Sequence, residues 1–260
     1  MAQSDDIYKH KQAQVKPFEF NDQVADVFSD MIKRSVPGYE QVLNLLPTLV
    51  RTLGRKMAHV SDLRFYDLGC SLGASLASIS LGLDKVNAKT VHLTGIDNSS
   101  AMIKKAKVNL GNHLAKHPPR SHPPLNLNLS LQEADIVTTR LEPCQMVVMH
   151  YTLQFIKPEL RKEVLDKIYT ALEPGGYLVL SEKIRFEDNA TNQLLTDIHH
   201  RFKQDQGYSE LEISQKRDAI EKVLIPESLT THVNRLSQCG FTTVTPWVQN
   251  FQFISILAVK

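Results

Sequence analysis

The sequence predicts an α/β fold: a doubly wound, mostly parallel sheet that ends in an antiparallel hairpin and carries a helical insertion. Three observations predict it. From residue 63 onward, short apolar runs alternate with helical patterns, and strands separated by helices pair in parallel through crossovers. The last two strand-like segments, FTTVTPWV (241–248) and FQFISILAVK (251–260), are joined by a link too short for a crossover helix. They must therefore pair antiparallel. Between them and the fifth strand lies a charged, polar helical stretch at about 185–223 with few strand signals. An insertion there sits above the carboxyl edge of the sheet, where it can cover a ligand.

The elements follow in order. Residues 1–17 read as a flexible lead-in, and 18–260 as a single ligand-binding domain. From Phe20 the pattern turns helical, with Val24, Val27, Phe28, Met31 and Ile32 at three- and four-residue spacing. Ser35-Val36-Pro37-Gly38 breaks that helix, and Val42, Leu45, Leu46, Leu49 and Val50 mark a second. LRFYDLG (63–69) is a buried strand, Ala74–Leu83 a helix, VHLTGID (91–97) a strand and Ser100–Leu110 a helix. Residues 111–124, with four prolines, read as a loop before the alternating LNLNLSLQEAD. MVVMHYTLQF (146–155) opens as a fourth strand, Pro158–Leu172 is amphipathic, and Pro174-Gly175-Gly176 turns the chain into YLVLSEK (177–183).

Composition narrows the function classes. With 42% hydrophobic residues in 260, the chain can bury a sizeable core. No apolar run approaches the roughly 20 residues that span a membrane. The polar N-terminus lacks the apolar run of a signal peptide, which points to the cytosol. A net charge of +2 with scattered Lys and Arg does not suggest nucleic acid. Cys70, Cys144 and Cys239 are odd in number and far apart, and indicate neither a disulfide framework nor a metal site.

The ends of three consecutive strands carry the chemistry. The first runs into Asp67-Leu68-Gly69-Cys70-Ser71-Leu72-Gly73. Glycines at this turn let backbone approach a ligand closely, ahead of a helix N-terminus. The spacing is G-x-x-x-G rather than the dinucleotide G-x-G-x-x-G. The second strand ends in Asp97-Asn98, where an acid accepts hydrogen bonds from ribose hydroxyls or caps the next helix. After the third, Asp135 can accept from an adenine amino group while Ile136 packs on the ring. Together these favour an adenosyl ligand at the sheet's switch point, and the terminal hairpin favours the class I methyltransferase (Rossmann-like) sheet over the dehydrogenase one. Pro143-Cys144-Gln145 precedes the fourth strand, on the wrong side for a nucleophile. His199-His200 has no partner spacing for a metal.

Further motifs carry a family resemblance. Ser35-Val36-Pro37-Gly38-Tyr39, the Asp67–Gly73 turn, Thr152-Leu153-Gln154-Phe155, Leu165-Asp166-Lys167-Ile168-Tyr169 and the long Gly207-Tyr208-Ser209-Glu210-Leu211-Glu212-Ile213-Ser214-Gln215-Lys216-Arg217 resemble the carboxy-S-adenosylmethionine synthases, from about Phe18 to the C-terminus. The resemblance implies a homodimeric transferase that moves a carboxyl group from prephenate to the methyl group of S-adenosylmethionine. It releases phenylpyruvate, and a separate tRNA carboxymethyltransferase uses the product at a wobble uridine. This chain itself would touch no nucleic acid and need no metal. A sulfonium acidifies its methyl protons, and aromatisation drives the donor's decarboxylation. The protein's task is to hold both reactants and exclude water. By the same match, Arg217 anchors a carboxylate with its planar fork. Tyr39 lies against the ligand, and Gly69, Cys70 and Ser71 line its amino-acid portion. Asp97 and Asn98 take the ribose, and Asp135 and Ile136 the adenine. His150 stands where the family usually has Asn. Two other readings share the fold: an ordinary small-molecule methyltransferase and a non-catalytic adenosylmethionine-binding module.

Overall fold

The computed structural model describes residues 4–119, 121, 124–221 and 223–260. In chain order the elements are α1 (Asp22–Ser35), α2 (Tyr39–Lys56), β1 (Asp62–Leu68), α3 (Ala74–Ser80), β2 (Thr90–Asp97), α4 (Ser100–Lys116) and β3 (Asn126–Glu133). There follow β4 (Cys144–His150), α5 (Pro158–Ala171), β5 (Leu172–Lys183), α6 (Asn189–Asp205), α7 (Glu210–Ile220), α8 (Leu229–Cys239), β6 (Thr243–Asn250) and β7 (Phe253–Val259). The seven strands form one sheet in the order β3-β2-β1-β4-β5-β7-β6. The first five pair in parallel, and β7 is antiparallel to both β5 and β6. The terminal hairpin therefore forms as the short link requires.

Burial explains the strand sequences. β4 is buried along almost its whole length, as a central parallel strand covered on both faces must be. The outer strands β3 and β6 leave much of their surface exposed. On one face of the sheet, Leu68, Val147, Met149, Leu178 and Leu180 pack with Val164, Leu165 and Ile168 of α5 and Leu236 of α8. On the other, Phe65, Leu93, Val148 and Val179 pack with Leu46, Val50 and Leu53 of α2 and Leu76 and Ile79 of α3. Each such side chain contributes about 1.5–3 kcal/mol on burial.

Three sequence expectations change here. The lead-in is packed rather than mobile over the described residues. Asp5 is 2% exposed and Tyr8 8%, and Tyr8 and Phe18 join Val24, Met31, Met102 and Ala219 in a third apolar cluster. The cause is α7, whose Gln215 side chain accepts from the Gln12 backbone and donates to the carbonyls of Tyr8 and His10. Helix α4 continues to Lys116, so the loop read at 111–124 is shorter; its residues 120, 122 and 123 lie outside the described ones. The third change is α8, absent from the sequence reading. Ser228 caps it and the left-handed Gly240 ends it.

Candidate active site

β1 is central, with β2 on one side and β4 on the other. The chain thus leaves the strand ends in opposite directions, opening a crevice at their carboxyl edge. A cavity of about 690 Å³ fills it. Its floor is built from strand-end residues and its roof from α1, α6 and α7.

The β1 turn is held by hydrogen bonds into β2. Gly69 and Cys70 donate to the Ile96 carbonyl, and Ser71 N–H donates to Asp97 Oδ2 at 2.9 Å. Gly69 has φ +78°, and a Cβ there would meet Thr152 Oγ1 at 2.3 Å, so only glycine lets the β1 and β4 loops close. Ser71, at φ 45°, is a non-glycine residue in left-handed geometry at the cavity wall, a strain found at ligand clamps. Asp97 Oδ1 accepts from Ser99 N–H at 2.9 Å. The helix cap itself is Ser99, whose hydroxyl accepts from Met102 N–H. Asp97 thus spans the two turns and keeps lone pairs for a ligand diol. Burial raises its pKa, countered by the N–H groups of Ser99 and Ser71.

Asp135 Oδ1 accepts from Val137 N–H, leaving Oδ2 for a ligand amine. Lys167 of α5 donates to the carbonyls of Ile136 and Val137 and so fixes this turn. At the end of β4, the His150 ring lies 4.7 Å, centroid to centroid, from those of both Tyr39 and Tyr151, tilted against each. Burial lowers the His150 pKa to about 3. Arg217, in the last turn of α7, reaches the cavity with its side chain 46% exposed. Its nearest acids, Asp218 at 3.9 Å and Glu221 at 3.8 Å, lie on its own helix.

Eight of the ten expected residues therefore share one cavity: Gly69, Ser71, Asp97, Asn98, Asp135, Ile136, His150 and Arg217. Two do not line it. Tyr39 sits against His150, its ring tilted on the imidazole. Cys70 turns its thiol into the core, where a Cβ on Gly95 would meet its Sγ at 2.9 Å. Its N–H and carbonyl are both bonded, to Ile96 and Gly73, so it shapes the turn without offering a polar group. Cys144 is fully buried and its thiol pKa is pushed up to about 12 by burial, as befits a core residue. His199 is buried too, bonded to the Ser35 carbonyl at 2.8 Å.

Sequence reasoning did not assign Asp67, Lys183 or Lys203. Asp67 is buried, and burial together with Asp97 raises its pKa to about 8 against the opposing effect of the Ser75 hydroxyl. A carboxyl buried beside the glycine turn is returned to its charged form by any cation that approaches it. Asp67 stood in the quoted turn and was legible as an acid at a strand end. Lys183 and Lys203 gave no local signal. Among the described residues, no group of three or more His, Cys, Asp or Glu side chains could hold a metal, and no helix is long and apolar enough to cross a membrane.

This sheet order, glycine turn and trio of acids at the strand ends define an S-adenosylmethionine-binding transferase of the class I methyltransferase fold. A methyltransferase domain family matches residues 66–178. Solved structures agree on the fold. An O-methyltransferase family protein from Burkholderia thailandensis superposes with a TM-score of 0.59 at 14% identity, over 95% of this chain and 65% of that one. A chain from Methanococcus maripaludis, described as an S-adenosylmethionine-dependent methyltransferase, does so at 0.52 and 16%, over 96% and 97%. Carboxy-S-adenosyl-L-methionine synthase of Stutzerimonas stutzeri is 44% identical over 98% of both chains. That of Colwellia psychrerythraea is 42% identical over 99% of this chain and 98% of its own. The chain belongs to the carboxy-S-adenosyl-L-methionine synthase family.

Proposed function

We propose that the enzyme transfers a carboxyl group from prephenate to the methyl group of S-adenosylmethionine, yielding carboxy-S-adenosylmethionine, phenylpyruvate and water, the ring hydroxyl leaving with the proton the methyl group gives up. The observation that carries this reading is the opposition of charge across the cavity. Asp97 and Asp135 line it at the ends of β2 and β3, Lys183 at the end of β5, and Arg217 and Lys203 enter it from α7 and α6. The acids suit an adenosyl sulfonium. A basic wall suits a carboxylate donor, whereas an ordinary methyl transfer has no use for cations near a sulfonium.

In this reading Asp97 and Asn98 take the ribose, Asp135 and Ile136 the adenine, and Gly69, Cys70 and Ser71 with Tyr39 and His150 shape the amino-acid end. Arg217 holds the carboxyl group that moves, with two parallel N–H donors. The aromatic cluster of Phe18, Phe20, Phe28 and Phe155 closes one wall against water. The family resemblance carries the expectation of a homodimer. A cytosolic location goes with three free thiols. The product would pass to a tRNA carboxymethyltransferase at a wobble uridine.

The test is mass spectrometry of the small molecule released on denaturing the purified protein, followed by incubation with S-adenosylmethionine and prephenate. A species heavier than S-adenosylmethionine by one carbon dioxide supports the reading. Only S-adenosylmethionine or its demethylated form, with no product from prephenate, would move it to an ordinary methyltransferase.

A further inference from the structure

Helix α6 turns a polar stripe toward the cavity. Asn192, Thr196, His199, His200 and Lys203 follow one another at helical spacing and all line the cavity. The opposite side of the helix carries Leu194, 59% exposed, beside the exposed Arg201–Asp205 pair. A helix packed over a core normally turns its apolar stripe inward. A polar stripe facing an enclosed space implies a polar ligand.

The charges make the ligand's sign specific. Lys183, at the carboxyl end of β5, and Lys203, in the last turn of α6, both line the cavity. Among the described residues neither ammonium forms an ion pair. Lys203 faces Lys216, Lys183 and Arg217, all cationic. Lys183 has one acid in range, Glu221. His200 faces Lys203, Arg217 and Lys183, with Asp197 its only acid. Lys216 does not belong to this unpaired set, because its ammonium bonds Ser35 Oγ at 2.9 Å and approaches Asp5 at 3.4 Å. Burial and these neighbours hold the Lys203 pKa down to about 7. Like charges gathered this way, with cations outnumbering the acids beside them, mark a place where an anion belongs.

One arginine fork matches one carboxylate. Prephenate has two, of which one moves and the other stays on phenylpyruvate. We propose that Lys183 and Lys203, with His200 beside them, form a second anion subsite that holds the donor's untransferred carboxylate. Arg217 is then left to the carboxyl group in transit. The assignment rests on the proposed reaction. It predicts that the leaving phenylpyruvate is still gripped after transfer, because the group that anchors it is unchanged.

The experiment uses the full chain saturated with S-adenosylmethionine. Calorimetric binding of phenylpyruvate and steady-state kinetics with prephenate are compared for wild type, Lys183→Met, Lys203→Met and Lys203→Arg. A charge-assisted contact contributes about 1.5–3 kcal/mol, so each Met variant should weaken phenylpyruvate and raise the KM for prephenate by roughly ten- to hundredfold. The kcat should change only a few-fold, S-adenosylmethionine affinity should be unchanged, and Lys203→Arg should retain most phenylpyruvate binding. Unaltered phenylpyruvate affinity in both Met variants overturns the subsite. So does an equal loss of S-adenosylmethionine affinity, which is what a merely structural role predicts, or wild-type protein that binds no phenylpyruvate. If wild type binds phenylpyruvate but never turns over prephenate, the proposed reaction fails while the subsite is still judged by the binding data.

Discussion

At the position the family usually fills with Asn, His150 raises the question of whether its charge matters. Both ring nitrogens are buried without a hydrogen-bond partner, and burial holds the pKa near 3. The Tyr39 backbone favours an imidazolium there, and burial outweighs it. The ring therefore stays neutral across the range in which histidines usually switch. The expected outcome is that His150→Asn leaves the pH profile of kcat/KM between about pH 5 and 8 superimposable on wild type; a lost ionisation would show as a missing limb. Stability behaves differently. The unfolded ring has a value near 6.5 and binds protons that the folded ring refuses, so the wild type should lose stability as pH falls from 6.5 toward 3. The variant should lose less, as read by thermal melts. Arg217 is a second single-residue case. Its acids lie 3.8–3.9 Å away on its own half-exposed helix, so they add little to stability. Arg217→Ala should leave the melting temperature and S-adenosylmethionine binding near wild type while reducing carboxyl transfer by about a hundredfold or more.

Helix α7 shows how an element aims a residue. The positive-φ Gly207 turns the chain, and Ser209 and Glu212 form a capping box that starts the helix. Tyr208 donates to Asp5, and Lys216 pairs with the same carboxylate. The N-terminal segment therefore straps down the helix whose next residue is Arg217. Lys216 is 7% exposed, and burial lowers its pKa to about 8 even with Asp5 present. Replacing Asp5 with Asn should destabilise the fold by about 3–5 kcal/mol, the cost of an uncompensated buried charge. Differential hydrogen exchange should locate the loss at residues 5–12 and α7. The β1 and β4 loops offer a sharper case. Gly69→Ala forces a Cβ into Thr152 and places alanine at a left-handed φ. S-adenosylmethionine binding should fall by at least tenfold, because the turn must open, and calorimetry would read it directly.

Across the whole molecule, the far end of the insertion is tied back to the sheet by one buried arginine. Arg161 is wholly buried. It donates to the carbonyls of Ile156, Gln154 and Ile225 and pairs with Glu227 at 2.6 Å, which Arg235 of α8 also clasps. Ile184, just beyond β5, bridges to Glu227 as well. The knot thus joins α5, α8 and the exit of β5, whose last residue is Lys183. The two arginines outweigh burial and hold the Glu227 carboxyl down at about 2, against an ordinary 4.5. The stabilisation is present above pH 4.5 and is lost as pH falls from there toward 2. Glu227→Gln should flatten the decline of melting temperature across that window.

Much of this was already legible in the amino-acid order. Alternation of apolar runs and helical patterns is local, and it determined the parallel sheet, the terminal hairpin and the position of the insertion. Gly69, Asp97 and Asp135 were legible because each stands at a strand end, and the long motif ending in Arg217 marked the insertion as part of the site. Tertiary structure alone decided the rest. The lead-in looked mobile because the Asp5 carboxylate and the Tyr8 carbonyl find their partners on Tyr208 and Gln215, some two hundred residues away. Helix α8 is short, and Arg161 and Arg235 on either side of Glu227 could not be matched to it by spacing. Lys183 and Lys203 read as ordinary surface lysines, and only the closing of α6 over the sheet brings their unpaired charges into one enclosed space. Periodicity records which face of an element is buried, but not what another part of the chain will set against it.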